Sequence, residues 1–259
     1  MKKVSVLMTI YNAENMLKKS IPSILNQIYT NLEFVIVNDG STDNSAKIVE
    51  RFAEQDHRII FINRTINKGR NYSLNEGLRN CGSDLIAIND ADDVSDPDRI
   101  KKQVSFLEKN NLIDKFGIIG SASRTIDLTK HYEKDYHIKH GSISKYKVSK
   151  NRIFFGMPFI HSSFIYNKKA LEEIGGFPTE VTAFIDYFAL MKIAGVYPIY
   201  GINEILVYRY IDGNNFFFRN EIISQKSSNE KKIFSWAENH YKCFTILWLT
   251  RKLIKSIKR

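Results

Sequence analysis

Four short β-rich runs, at residues 4–8, 32–37, 58–62 and 85–88, are each followed by polar punctuation and then by apolar residues at helical spacing. Strands alternating with helices in this way predict βαβ units, and hence a mostly parallel sheet covered by helices. Leu17, Ile21, Ile24, Leu25 and Ile28 mark the first helix, with Pro22 expected to kink or restart it. A second follows Ser41-Thr42-Asp43 and carries Ile48, Val49 and Phe52 on one face. Another opens with Asp96 as N-cap and Pro97 at the first helical position, ahead of Ile100, Val104 and Leu107.

Beyond Gly120 the pattern loosens, and residues 121–150, polar and basic with little periodicity, read as a connecting excursion. Order resumes near 154–165. A short helix over 170–174 stops at Gly175-Gly176, and a strongly apolar one over 184–194 stops at Gly195. The expected organisation is a donor-binding half over 1–120, a second half of the same domain over 121–228, and a basic helical tail over 229–259.

With 259 residues, 43% of them hydrophobic, the chain can bury one substantial core. No apolar run approaches the roughly 18 residues of a membrane span, so a transmembrane reading is disfavoured. Polar Tyr11-Asn12-Ala13-Glu14-Asn15 interrupts the N-terminal apolar segment too early for a signal peptide, so the chain is expected to start in a strand. Cys81 and Cys243 lack zinc or disulfide spacing, which suits a reducing, cytoplasmic setting. The net charge is +10, but residues 229–259 hold eight Lys or Arg against two Glu, so +6 of it lies in the tail. A nucleic-acid reading rests on that charge alone and is set aside. Trp236 and Trp248 among the tail's lysines suit either contact with an anionic membrane surface or a helix packed on the domain.

In an open α/β sheet, ligands bind beyond the carboxyl ends of the strands. Those positions here are Thr9-Ile10-Tyr11-Asn12, Asn38-Asp39-Gly40-Ser41-Thr42-Asp43, residues 63–70, and Asn89-Asp90-Ala91-Asp92-Asp93. Each alone reads as a turn with a helix cap. Asp90, Asp92 and Asp93 go further: three carboxylates within four residues repel one another, and turn chemistry needs only one. A hard divalent ion shared with substrate phosphates fits them. No P-loop, no Gly-x-Gly-x-x-Gly after the first strand and no phosphatase-type Asp two residues before Asp39 is present, Val37 standing there. A nucleotidyltransferase's Gly-rich first loop is also missing after Met8. Asp186 interrupts a nearly all-apolar helix, a costly position unless the carboxylate is paired or used, or unless it caps the helix, in which case Glu180 is the alternative acid.

These motifs in this order resemble the inverting family 2 glycosyltransferases of the GT-A, nucleotide-diphospho-sugar transferase fold. The residues that carry the resemblance are 4–12, Ser23-Ile24-Leu25-Asn26-Gln27, Val35 through Asp43, Asn67-Lys68-Gly69, Leu74-Asn75-Glu76-Gly77-Leu78, and Asn89 through Asp93 with Pro97-Asp98-Arg99. His161-Ser162-Ser163 and Gly175-Gly176-Phe177 extend it. The resemblance implies that Thr9, Tyr11 and Asp39 hold a nucleoside, Tyr11 by stacking and Asp39 by accepting a base N–H, as for a UDP-sugar. Lys68 or Arg70 would approach the base or diphosphate. Asp90 and Asp92 match the Asp-x-Asp element, with Asp92 as ligand to Mn²⁺ or Mg²⁺ and Asp90 at the ribose or the metal. Asp186 matches the catalytic base, and His161 is either an acceptor contact or a structural histidine.

Where family members usually carry Glu-Asp and then Trp, this chain has Ile185-Asp186 and Leu190, and Asp212 stands in for a frequent metal-side His. The implied activity is sugar transfer to a carbohydrate or lipid-linked acceptor in bacterial surface-polysaccharide or glycolipid assembly, at the cytoplasmic face of the membrane. A nucleotide-sugar-binding scaffold without turnover is the alternative.

Overall fold

The computed structural model describes residues 1–137, 143–144, 147–148, 152–153, 156–211 and 220–241. Phe154, Asp212, Gly213, Asn214 and the tail beyond Tyr241, including Cys243 and Trp248, lie outside them. The first half is the expected βα alternation: β1 (Val4–Ile10), α1 (Glu14–Leu25), β2 (Leu32–Asp39), α2 (Ser45–Gln55), β3 (Ile59–Arg64), α3 (Arg70–Asn80) and β4 (Leu85–Ile88). These strands are parallel and lie in the order β3-β2-β1-β4.

Successive strand residues point to opposite faces, so a parallel strand covered on both sides must be apolar throughout. All eight β2 residues, Leu32 to Asp39, are buried, with Glu33, Asn38 and Asp39 as the polar exceptions, and Phe34 and Val35 are fully buried on opposite faces. One face packs Val6, Met8, Phe34 and Ile36 under Leu17, Ile21 and Ile24 of α1 and Val49 of α2. The other packs Leu7, Val35 and Val37 under Leu74 and Leu78 of α3. Each such side chain contributes about 1.5–3 kcal/mol by leaving water.

The second half follows as β5 (Asp93–Ser95), α4 (Arg99–Lys109), β6 (Ile118–Asp127), β7 (Tyr132–Tyr136), β8 (Ile143–Ser144), β9 (Lys147–Val148), a 3₁₀ turn over His161–Ser163, β10 (Ile165–Asn167), α5 (Lys168–Glu173), α6 (Ile185–Val196), β11 (Ile199–Ile211) and α7 (Asn220–His240). β10 runs antiparallel between β4 and β6, and β11 lies parallel to β6. The chain therefore forms a helix-covered, mixed sheet that changes strand direction at β10.

Several expectations are corrected. Residues 121–150 are not simply an excursion, because Ser121, Ser123 and Thr125 lie buried in the long strand β6. Their hydroxyl side chains hide the apolar alternation, and it is pairing with β11 and β7 that buries them. Helix α1 continues through Pro22 because its buried stripe holds it on the sheet against the lost hydrogen bond. Helix α4 starts at Arg99 with Asp98 at its N-cap, and Asp96 instead closes the preceding turn, accepting the Asp98 N–H at 3.0 Å. Gly195 does not end α6, which runs to Val196; a side chain there would meet the Tyr241 hydroxyl at 3.3 Å. Within α7, Ile233 and Ala237 join the core, and Trp236 packs edge-on against Phe188.

One polar clamp joins three strands. Glu33 on β2 accepts from Ser5 of β1 at 2.5 Å, from Lys3 at 2.5 Å and from the Gly82 N–H ahead of β4 at 2.6 Å. Burial alone would raise its pKa, but these donors together pull it below the ordinary value of 4.5. A carboxylate depressed on folding stabilises above its unfolded pKa, and that stability is lost as pH falls through the folded value. We therefore expect urea midpoints to drop below about pH 4.5, and the Glu33→Gln variant to be less stable at pH 7 while losing this part of the acid dependence.

Candidate active site

β1 and β4 are parallel neighbours, yet the chain leaves them in opposite directions, β1 towards β2 and β4 across the sheet to β5. A crevice opens at such a switch point, and Thr9–Asn12 and Asn89–Asp92 border it. The loops after β1 and β2 are zipped together. Ser41 Oγ accepts the Asn12 N–H at 3.0 Å, Asn12 Oδ1 accepts the Thr42 N–H at 2.8 Å, and Asp43 Oδ2 accepts the Glu14 N–H at 3.1 Å. Ser41 to Asp43 are thus accounted for by loop structure. Gly40 turns with φ +70°, and a Cβ there would stand 2.6 Å from the Asn67 backbone nitrogen, so the turn presses directly on the segment leading to Lys68.

Asp39, at the end of β2, is buried and held from two sides. Arg64 Nη2 and the Lys68 backbone N–H both donate to its Oδ1, at 2.7 and 2.8 Å. This fixes the carboxyl plane and presents Oδ2 to whatever enters. Arg64 was not singled out from sequence; its signal is the register, since it pairs directly with Asp39 across β2 and β3. The Lys68 side chain does not approach Asp39 but reaches over the Tyr72 ring, 4.7 Å from its centroid. Tyr11 keeps 38% of its surface exposed at the crevice edge, and Thr9 is half-buried beside it.

Beyond β4, Asp90 Oδ1 is 2.5 Å from Arg70 Nη2 at the start of α3. Burial would raise the Asp90 pKa, but Arg70 foremost, then His161, Ser162 and Arg209, hold it below the usual range. Burial would likewise lower Arg70, yet Asp90, Asp186, Asp92 and Asp93 carry it upward. His161 is 5% exposed. Arg70 contacts its Nδ1 at 3.2 Å and the Tyr166 hydroxyl its Nε2 at 3.1 Å, while burial lowers its pKa. A neutral ring protonated on Nε2 satisfies both contacts, so in this geometry the histidine positions Arg70. Asp93 is buried beneath Asp90 and Asp92. Burial and those two charges push it well above the ordinary range, against Ser162 and Arg209.

Ser162, within the His161-Ser162-Ser163 motif, ties the loop together. Its Oγ accepts the Asp90 N–H at 3.0 Å and donates to Asp93 Oδ2. Fully buried Arg99 donates to the Ile88 and Ser162 carbonyls, and burial draws its guanidinium down to about 10 against the pull of Asp93.

Asp186 lies in the first turn of α6, half-buried, its Oδ1 accepting the Tyr187 N–H at 2.8 Å. It is not a mid-helix charge in an apolar shell, as its sequence context had suggested. Phe184, at φ 61°, is the N-cap of the helix, which leaves the Asp186 carboxylate in the first turn at the helix's positive end. The charge of Asp186 acts on Arg70, His161 and Tyr166, so α6 delivers it to the same crevice as Asp90 from a distant part of the chain. Glu180, the alternative acid, pairs with Lys192 at 2.7 Å. Beside Asp186, an apolar pocket forms between Met157, Phe184, Tyr187, Ile233 and Phe234, with Glu230 at its border.

Among the described residues, no cluster of three or more His, Cys, Asp or Glu forms a ready-made metal cage. The donor set nevertheless fits a hard cation of the kind held by one or two carboxylates plus substrate phosphates. Asp90 and Asp92 would supply the oxygens, and buried Asp93 Oδ1 has no hydrogen-bond partner among the described residues.

The Ser162→Ala variant should test how this loop is held. Removing the hydroxyl leaves the Asp90 N–H and the Asp93 carboxyl without their partner, which costs about 1–3 kcal/mol per group. The expected outcome is a clear loss in urea midpoint, with Ser162→Thr recovering part of it.

Comparisons with known proteins identify the fold and the family. The family model for glycosyl transferase family 2 matches residues 5–175. The putative glycosyltransferase EpsE of Bacillus subtilis is 34% identical over 176 residues, covering 68% of this chain and 60% of EpsE. The chain spans less than two thirds of the first curated relatives it matches. The S. aureus TarS 1–349 structure in complex with UDP-GlcNAc superposes with a TM-score of 0.74 at 17% identity, over 96% of this chain and 72% of TarS 1–349. The mannosyltransferase PcManGT of Pyrobaculum calidifontis, in complex with GDP-Man and Mn²⁺, gives 0.71 at 22% identity, over 95% and 68%. The fold is that of the GT-A glycosyltransferases, and the chain belongs to glycosyl transferase family 2.

Proposed function

We propose that this glycosyltransferase moves a sugar from a nucleotide-diphosphate donor, a UDP-sugar, to an acceptor hydroxyl with inversion at the anomeric carbon. What supports the reading is that the charge of Asp186, from the second half of the chain, acts on Arg70 and His161, the groups that also face Asp90. Tyr11 stacks on the base, Asp39 accepts its N–H through the oxygen that Arg64 leaves open, and Thr9 lines the nucleoside. Asp90 serves the ribose or the metal. Lys68 and Arg70 are the cations placed to approach the diphosphate, Arg70 by exchanging part of its hold on Asp90.

Asp92, with Asp90, would hold Mn²⁺ or Mg²⁺. The cation's chemistry when bound is stabilisation of charge on the departing diphosphate without proton transfer. Asp186 accepts the proton of the attacking acceptor hydroxyl, and its distance in sequence from Asp92 fits attack from the opposite face. His161, through Arg70, keeps the donor-side cation in place. TarS with UDP-GlcNAc and PcManGT with GDP-Man and Mn²⁺ lend support to a nucleotide sugar and a divalent ion here. Assembly of a bacterial surface polysaccharide or glycolipid, with the protein at the cytoplasmic membrane face, belongs to the same proposal. No described helix is long and apolar enough to cross a membrane.

A thermal-shift screen of UDP- and GDP-sugars with and without Mn²⁺ tests the donor and the metal together. We expect stabilisation by a UDP-sugar that grows with Mn²⁺ and disappears in Asp92→Ala. No response to any sugar nucleotide would defeat the proposal. For turnover, Asp186→Asn should lower kcat by about 10²–10⁴-fold, read by nucleotide release, while the donor-induced shift remains. Donor binding with no turnover by the wild type on any acceptor would favour the scaffold alternative, which Ile185 and the missing metal-side His motivate.

A further inference from the structure

Strand β7 presents an aromatic and cationic face whose place is fixed by sheet register. Tyr132, Lys134 and Tyr136 point to one side of this edge strand, and Tyr132 and Tyr136 are 42% and 46% exposed. Directly paired residues in a sheet share a face, so the register can be followed outward from the metal-side loop. Asp93 on β5 pairs with Arg209 on β11, Arg209 with Thr125 on β6, and Thr125 with Lys134 on β7. The row one step along runs through Ser95, Val207, Ser123 and Tyr136. On the other side, Ile211 and Asp127 lead to Tyr132.

The Tyr132–Lys134–Tyr136 face therefore belongs to the same sheet surface as Asp93 and Arg209. It lies three strand spacings, about 14 Å, from Asp93. The two tyrosines, four residues apart on a strand, are separated by about 13 Å.

The opposite side of β7 is already accounted for. Glu133 and Asp135 turn there and pair with Arg124, at 3.6 and 2.7 Å. The acids are thus removed from the tyrosine face, where Lys134 sits over the Tyr136 ring, 5.4 Å from its centroid. Two spaced rings, one with a cation against it, suit the apolar faces and hydroxyl edges of non-adjacent pyranoses of one saccharide chain: the rings cover C–H surface while the phenol hydroxyls and ammonium hydrogen-bond the rim.

We propose that this β7 face is an outer subsite for an extended oligosaccharide acceptor, binding sugar units remote from the one that reacts. The proposal rests on the transferase reading and specifies its acceptor as a saccharide chain, longer than the unit at Asp186. Lys134 would favour chains bearing anionic substituents.

The test is binding of the full chain to an array of bacterial oligosaccharides, neutral and anionic, of increasing length. Wild type is compared with Tyr132→Ala/Tyr136→Ala and with Tyr132→Phe/Tyr136→Phe, each checked for folding by thermal melt. We expect wild-type binding to strengthen with chain length. The Ala pair should bind on the order of tenfold or more weakly, and the Phe pair should retain most of the affinity. Equal binding by wild type and the Ala pair, or no wild-type binding to any chain, overturns the subsite. Stabilisation of the same wild-type sample by sugar nucleotide and Mn²⁺ is read in parallel. Its absence counts against the transferase reading, whereas its presence with either overturning result counts against the subsite alone.

Discussion

Three carboxylates within four residues, at the end of a buried strand, have to be compensated before the sheet edge can close. Much of the architecture around the crevice performs this task. Arg70 from α3 meets Asp90, Ser162 from the 3₁₀ turn holds Asp93 and the Asp90 backbone, and Arg209 from β11 acts on both aspartates. Arg99 from α4 ties the end of β4 to the 3₁₀ turn through the Ile88 and Ser162 carbonyls. The compensating groups come from separate elements, so the loop ties the two halves of the sheet together.

The change of strand direction at β10 gives the two halves different properties. The parallel strands β1 to β4 are buried on both faces, and their loops are fixed by side-chain contacts with one another. This rigidity suits a donor pocket, where Asp39 is oriented by Arg64 and by the Lys68 backbone. The other half is built from long β6 and β11 and from α6, and carries Asp186, an apolar pocket and an exposed edge strand.

Legibility in the sequence followed the range of the physics. β4 was read to the residue, and the strands β1 to β3 to within a few residues, because parallel strands show as apolar runs between polar breaks. β6 escaped because Ser121, Ser123 and Thr125 are buried by partners far along the chain, which no local periodicity records. The grouping of Asp39, Asp90 and Asp92 at one sheet edge was legible for a simple reason: strand ends on one edge are implied once the strands are parallel. The partners that set their charge were not, since Arg64, Ser162 and Arg209 meet them only across strands. His161 shows the same limit, its two ring contacts coming from α3 and β10.

By itself, the sequence determined the α/β alternation, the carboxylates placed after strands and the membership implied by their spacing, because these depend on local periodicity and on residue type. Tertiary structure decided which charge faces which. It brought Arg70 within the field of Asp186, turned Glu133 and Asp135 away from the tyrosine face, and carried the register from Asp93 to Lys134. Electrostatic and packing energies depend on distance in space, and residues far apart in the chain acquire those distances only when the sheet closes.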